Sequence, residues 1–272
     1  MVAKLHVISG LPRSGSTLLS ALLRQNPRFS AAMTSPVGML CNVLHQKMSG
    51  SGEFSVFFDT ARRRAVLRGV FDSYYGDLPE NHVVFDTNRT WTGKAAWLGA
   101  LYPDSRIICC VREIGWIIDS IERMLNKNPL ELSRIFEFKP GSSVYSRVEI
   151  LMNSEKGLIG QSWSTLREAW FGDHAKRLIV IPYDHLAANP RETLDKLYAE
   201  LAEPSFAHDF ENVAYDAAEY DANLGMPDMH SVRKKVDFQQ RTPCIPPDLF
   251  AKYAASSFWL RPELNRYGVT IL

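Results

Sequence analysis

Cysteine is scarce: Cys41, Cys109, Cys110 and Cys244 are the four in 272 residues. No two form a C-x-x-C pair, so a disulfide framework and a thioredoxin-type redox motif are excluded. Cys109 and Cys110 sit inside an apolar run and are expected to be buried, reduced thiols. No apolar run approaches the ~18 residues of a membrane span. Residues Leu5–Ser9, following Met1–Lys4, are too short and interrupted for a secretory core. The expectation is a soluble, cytoplasmic protein with no membrane partner. Charge of one sign is also missing: 31 Lys and Arg against 30 Asp and Glu leave a formal +1. A protein that holds nucleic acid by bulk charge carries a clear basic excess, so no nucleic-acid partner is expected. The seven histidines are scattered without metal-ligand spacing, and no metal is expected. There is no internal repeat and no low-complexity tract.

The apolar fraction of 46% and charged fraction of 22% are those of an ordinary globular chain, read here as one domain over 1–272. Four short Val/Ile-rich runs stand out: Leu5–Ser9, Val83–Phe85, Arg106–Val111 and Leu178–Ile181. Helical patterns follow them. One carries Leu18, Leu19, Leu22 and Leu23. One starts near Asp59 and carries Val66, Leu67, Val70 and Phe71. Others centre on Leu98, on Ile114–Leu125, on Ile159–Trp170 and on Leu249–Tyr253. Another opens with Asn189 as N-cap, Pro190 at N1 and Glu192 at N3, and buries Leu194, Leu197 and Leu201. Continuous apolar runs alternating with helices predict an α/β domain of three layers, a central parallel sheet flanked by helices. Residues 128–157 and 205–246 read as mostly aperiodic, as caps and lids do, and 30–60 and 128–157 are the expected acceptor caps.

The informative loop is Ser9-Gly10-Leu11-Pro12-Arg13-Ser14-Gly15-Ser16-Thr17, between the first strand and the first helix. Such a loop presents backbone N–H groups and the positive end of a helix dipole to an anion. Gly10 and Gly15 let backbone approach phosphate closely. Ser14, Ser16 and Thr17 add hydroxyls, and Arg13 adds a fork suited to phosphate or sulfate. The spacing nearly matches the G-x-x-x-x-G-K-[ST] phosphate loop, with serine at 16 where a kinase or ATPase needs lysine.

The stretch Gly10–Leu19 resembles the 5′-phosphosulfate loop of sulfotransferases that use 3′-phosphoadenosine 5′-phosphosulfate (PAPS), most nearly the branch of tyrosylprotein sulfotransferases and related bacterial enzymes. The resemblance implies PAPS as donor and Arg13, Ser14, Gly15, Ser16 and Thr17 as its ligands. It implies Arg112, ending Ile107–Val111, and Ser120, eight residues on, as the 3′-phosphate pair. Eight helical residues span ~12 Å, so the two meet on one phosphate only if the arginine folds along the helix. Pro182-Tyr183-Asp184-His185-Leu186 is similar to the family's Tyr-Glu-x-Leu and makes Tyr183 a nucleotide contact. His230–Lys235, with Ser231, Arg233 and Lys234, resembles its cofactor-closing loop, expected near 225–240.

Sulfuryl transfer has a loose transition state, so positioning and charge stabilisation carry the catalysis, with Arg13 facing the leaving group. The acceptor proton needs a base. Tyrosylprotein sulfotransferases carry a glutamate soon after the first helix; here Ala32-Met33-Thr34-Ser35-Pro36 has no carboxylate. They carry a lysine at the end of the next strand; here Thr87 stands there, and Arg89 is the candidate replacement. Asp86 is the leading base candidate, against an N-cap or an ion pair with Arg89; His45 and His230 are alternatives. Arg62-Arg63-Arg64 and Arg68 read as a solvated face, against a basic patch for an acidic acceptor, and Phe54, Phe57, Phe58, Tyr74 and Tyr75 as core, against the lining of an acceptor cleft. The expected activity is sulfuryl transfer to an acceptor peptide or small molecule. A P-loop kinase and a non-catalytic nucleotide-binding protein remain open, and oligomeric state is not legible.

Overall fold

The computed structural model describes residues 2, 4–50, 52–79, 81–127, 129–130, 132–137, 143–223 and 227–272. Six strands form one sheet: β1 (Lys4–Gly10), β2 (Phe29–Ala31), β3 (Val83–Thr87), β4 (Ile107–Val111), β5 (Leu178–Pro182) and β6 (Thr270–Ile271). Their order is β2-β3-β1-β4-β5-β6 and every pairing is parallel. The helices are α1 (Ser16–Leu23), α2 (Val37–Ser49), α3 (Thr60–Tyr74), α4 (Ala95–Leu101), α5 (Ile114–Lys127), α6 (Val144–Met152), α7 (Gly160–Phe171), α8 (Tyr183–Ala188), α9 (Pro190–Glu200), α10 (Ala218–Asn223) and α11 (Pro247–Ala254). Among the described residues none is long and apolar enough to cross a membrane.

Side-chain alternation along the strands divides the core into two layers. Val7, Val84, Ile107, Cys109, Leu178 and Val180 pack against Phe71 of α3, Ile117 and Ile121 of α5, and Trp170 of α7. Ile8, Phe85, Ile108, Cys110, Ile179 and Ile181 pack against Leu19 and Leu22 of α1 and Leu194 and Leu197 of α9. This is the three-layer α/β arrangement expected from the sequence. β2 and β6, at three and two residues, are too short to give a readable period, and both are edge strands. The expected cap segment 30–60 holds α2 and a 3-10 turn, Glu53–Phe57. In 128–157 the described part contains α6; Lys139–Ser142 lies outside the described residues. Asp59 caps α3 by accepting from the Arg62 amide at 2.7 Å. Asn189 occupies the N-cap position of α9 with Pro190 following, but its side chain makes no capping bond.

β1 carries two unusual residues, one at each end. Gly10 has φ +107°, and a Cβ there would lie 2.2 Å from the Cys110 carbonyl oxygen. Only glycine lets the chain leave β1 so close to β4. His6 is 1% exposed; its Nδ1 accepts from the Arg106 amide at 3.1 Å, and Nε2 has no partner among the described residues. Burial, reinforced by Lys4 and Arg106, pushes its pKa from 6.5 down to about 3. The unfolded chain therefore takes up a proton below about pH 6.5 that the native state refuses. Stability is full above that pH and falls as the pH drops toward 3, by about 1.4 kcal/mol per unit. In urea titrations at about pH 7 and about pH 4.5, the chain is expected to lose about 2–3 kcal/mol more than His6→Gln. Equal losses would put the acid sensitivity elsewhere.

Candidate active site

The carboxyl ends of β1, β3, β4 and β5 open on one cavity of about 570 Å³. The crevice beyond the carboxyl ends of a parallel sheet is where such folds bind ligands. The loop after β1 forms its floor, with Arg13, Gly15, Ser16 and Thr17 in the lining. α1 has Gly15 at its N-cap (φ +91°), no side-chain cap and no acidic residue in its first turn. The first helical amide to find a partner is Leu19, bonded to Gly15 O, so the amides of Ser16, Thr17 and Leu18 have no bond within the helix. Ser14 turns inward; its hydroxyl donates to Pro12 O, and it does not line the cavity.

Arg13 is left-handed (φ +56°), a conformation that costs a non-glycine residue roughly 1–2 kcal/mol. Its guanidinium offsets this from two sides: Nε donates to Ser120 Oγ at 3.1 Å and Nη1 donates to Met229 O. The Gly-rich loop, α5 and the C-terminal segment are thus joined through one side chain. The expected Arg112–Ser120 pair takes a different form. Both line the cavity, but Ser120 is bonded to Arg13, while the Arg112 guanidinium lies over the Tyr183 ring at 4.2 Å. Arg112 Nε is buried without a hydrogen-bond partner among the described residues.

Eight cationic side chains reach this lining: Arg13, Arg89, Arg112, Arg123, Lys127, Arg233, Lys235 and Arg241. Among the described residues, Asp228 and Asp237 are the only carboxylates there. In a chain of net charge +1 this is a strong local concentration of one sign. Partial burial lowers the pKa of Arg13 and Arg112, and Arg13, Arg112 and Arg241 repel one another. Cations held at that cost fit a ligand with several negative charges. At the end of β3, Thr87 Oγ1 is buried and unpartnered among the described residues, and Thr87, Asn88 and Arg89 all face the cavity.

Asp86 is not among the lining residues. Alternation along β3 puts it on the same sheet face as Val84, where it is 0% exposed. It accepts from Ser35 Oγ (2.5 Å), Tyr75 Oη (2.7 Å) and Trp91 Nε1 (2.7 Å). Burial raises its pKa, against the pull of those donors. Neither the N-cap nor the Arg89 ion pair expected as its structural role is what it forms. His45 lies exposed on α2, away from the cavity. Ser231 and Arg233 join the lining and Lys234 does not; its backbone carbonyl accepts from the Val213 amide. Residues 225 and 226 of the expected closing loop lie outside the described residues.

His230 lies in the cavity wall, next to the Met229 carbonyl that Arg13 holds. Its Nδ1 lies 2.5 Å from Asp221 Oδ1, and its amide donates to Asp221 Oδ2 at 2.8 Å. Asp221 is 2% exposed. A carboxylate on Nδ1 places the proton there and leaves the Nε2 lone pair free to accept another. The Tyr220 ring meets the imidazole edge-on at 5.6 Å, and Tyr220 is also a lining residue.

A second buried carboxylate holds the far end of the cavity. Asp119, 0% exposed, accepts from the Cys244 amide at 2.6 Å and from Arg123 Nε at 3.1 Å, and it pairs with Arg241 at 2.9 Å. Burial would raise its pKa, but the Cys244 and Arg123 bonds and the Arg241 charge outweigh that and lower it. Arg241 also stacks on Trp116 at 5.6 Å and keeps Nε without a hydrogen-bond partner among the described residues. Sequence reading missed Arg123 and Lys127, although they follow Ser120 at i+3 and i+7 on one face of α5. Arg241 and the Asp221–His230 pairing left no local signal, because a loop brings them in. Among the described residues no group of three or more His, Cys, Asp or Glu side chains is placed to hold a metal ion.

Comparison with solved structures gives the fold a context. The sulfotransferase domain from the curacin biosynthetic pathway superposes with a TM-score of 0.55 at 17% identity, covering 94% of this chain and 97% of that one. The sulfotransferase domain of the Synechococcus PCC 7002 olefin synthase gives 0.52 at 17% identity, with 94% of each chain covered. A sulfotransferase from Alicyclobacillus acidocaldarius gives 0.52 at 14% identity, covering 95% and 96%. No curated protein sequence matches the chain. The model of the sulfotransferase family matches residues 7–207. That span runs from β1 through the phosphate-type loop, Arg112, Ser120 and Tyr183 to the end of α9, and it establishes that the chain belongs to the sulfotransferase family.

Proposed function

We propose that the protein transfers a sulfuryl group from PAPS to an acceptor hydroxyl. One observation carries the reading: the Arg13 loop and the Arg112–Ser120 end line the same strongly cationic cavity. A bisphosphorylated adenosine has two anionic ends, and the two cradles offer each of them cations. The α1 amides and Arg13 are assigned to the 5′-phosphosulfate. Arg112, Ser120, Arg123 and Arg241 are assigned to the 3′-phosphate, with Tyr183 at the nucleotide and Ser231 and Arg233 closing over it. The orphaned atoms Arg112 Nε, Arg241 Nε and Thr87 Oγ1 are the groups such a ligand would satisfy.

His230 is assigned the base and Arg89 the cation beside the migrating group. His230 Nε2 takes the acceptor proton as the acceptor oxygen bonds to sulfur. The bond from sulfur to the 5′-phosphate oxygen breaks, and Arg13 with the loop amides stabilises the charge left on the bisphosphate. Asp221 positions the imidazole and balances its charge. Asp86 is assigned a structural role, tying Ser35, Tyr75 and Trp91 together beneath the cleft. The segments 30–60 and 128–157 are assigned to acceptor recognition, for a peptide hydroxyl such as tyrosine or a small molecule. The four cysteines are all free thiols, which fits activity in the reducing cytoplasm.

Calorimetry with adenosine 3′,5′-bisphosphate and with adenosine 5′-monophosphate tests the reading. The bisphosphate is expected to bind roughly ten- to a hundredfold more tightly, as one added set of charge-assisted hydrogen bonds requires. Equal binding, or a preference for ATP, would favour a phosphotransferase instead. Transfer of label from sulfur-labelled PAPS to any acceptor would dismiss a non-catalytic role.

A further inference from the structure

Phe58 packs against the core as expected, but Phe54 and Phe57, expected there too, face outward. Phe54 is 65% exposed, Val56 79% and Phe57 62%. A 3-10 turn has three residues per turn, so Phe54 and Phe57 share one side of Glu53–Phe57. The turn packs on α2, whose outer face carries Met39, Leu40 and Val43 at helical spacing, all exposed. An apolar surface of this kind on a protein marks a place of contact.

The surface is bordered by cations. Over residues 37–68 there are five, Lys47, Arg62, Arg63, Arg64 and Arg68, against Glu53 and Asp59, a local excess of three in a chain of +1 overall. The basic row is fastened to the apolar one. Arg62 Nη1 donates to Phe57 O at 2.9 Å, and Arg63 Nε and Nη2 donate to Met48 O at 3.2 and 3.1 Å. Asp59 is taken up by its cap. The same face adjoins the catalytic cleft: Met33 and Thr34 line the cavity just before α2 begins, and Gly38 packs on the side chain of Asn88, another lining residue.

We propose that this face docks on an anionic lipid surface. The Phe54, Val56, Phe57 and α2 side chains enter the headgroup boundary, while Lys47, Arg62 and Arg64 meet the lipid phosphates. Docking is peripheral and needs no membrane-spanning segment. If the sulfuryl-transfer reading also holds, the orientation turns the mouth of the cleft toward hydroxyls carried by membrane-resident amphiphiles.

Vesicle flotation tests this with the whole chain and no nucleotide or acceptor, so its outcome is independent of the transfer reading. The chain is expected to float with phosphatidylcholine vesicles containing about one-third phosphatidylglycerol, and to release as salt is raised. The double variant Val56→Asp/Phe57→Ser is expected to stay in the pellet fraction with an unchanged circular dichroism spectrum, since both side chains face solvent. Lys47→Gln/Arg64→Gln is expected to weaken partitioning about 25-fold, about fivefold per basic residue. Three results would overturn the proposal: no flotation with anionic vesicles, equal flotation with pure phosphatidylcholine, or a dimer in light scattering that Val56→Asp dissociates. The last would make the face an interface between copies.

Discussion

His230→Ala is expected to slow sulfuryl transfer about 10²–10⁴-fold, the range for losing a positioned base, while adenosine 3′,5′-bisphosphate still binds within a fewfold of the parent. The expectation rests on geometry. Asp221 is buried and grips both Nδ1 and the amide of His230, so the ring is fixed in the cavity wall, with no hydrogen bond to its other nitrogen among the described residues. Asp221→Asn keeps the shape and removes the charge that balances an imidazolium, so a smaller loss is expected with a changed pH profile of kcat/KM. Asp86→Asn is the informative contrast. Its carboxylate is enclosed by three donors away from the cavity, so its removal should lower the melting temperature and leave the pH profile alone. If turnover survives His230→Ala and the pH profile follows Asp86, the base has been assigned to the wrong side of β3.

The second large effect is expected at Arg112. Removing a half-buried cation from a bound phosphate loses a charge-assisted hydrogen bond of about 1.5–3 kcal/mol, so Arg112→Ala should weaken the bisphosphate about ten- to a hundredfold by calorimetry. Binding of adenosine 5′-monophosphate, which lacks the 3′-phosphate, should change little, so discrimination between the two collapses. The unliganded protein is expected to behave oppositely. Arg112 is desolvated, leaves Nε unsatisfied and is repelled by Arg241 and Arg13, so alanine should leave its melting temperature unchanged or higher. A variant that still prefers the bisphosphate over the monophosphate as strongly as the parent would show that the 3′-phosphate lies elsewhere.

Legibility in the sequence tracks physical range. The loop 9–17 was legible because its chemistry is contiguous: glycines, hydroxyls and an arginine directly after an apolar strand. Arg112 and Tyr183 were legible because each ends a strand whose run of apolar residues is unmistakable. The 3.6-residue period also contained Arg123 and Lys127 beside Ser120, a reading open to anyone who continued the face by two turns. Asp86 misled because a one-residue step along a strand reverses the direction of the side chain, and only the register says which face it takes. The Asp221–His230 pair and the Asp119–Arg241 pair join residues nine and more than a hundred positions apart, a contact that neither the helical nor the strand period announces. The exposed rings at 54 and 57 were mistaken for core because apolar composition signals burial only when an element has a partner layer to cover it.

The clasp of Arg13 on Ser120 and on the Met229 carbonyl has a kinetic consequence. The side chain assigned to the donor's reactive end also fastens the C-terminal wall to the strand–helix floor. If the donor binds as proposed, exchange of nucleotide and loosening of that wall are expected to be coupled. On that reading, the pace of successive turnovers is expected to follow how quickly a single guanidinium trades its internal partners for an incoming anion and back again.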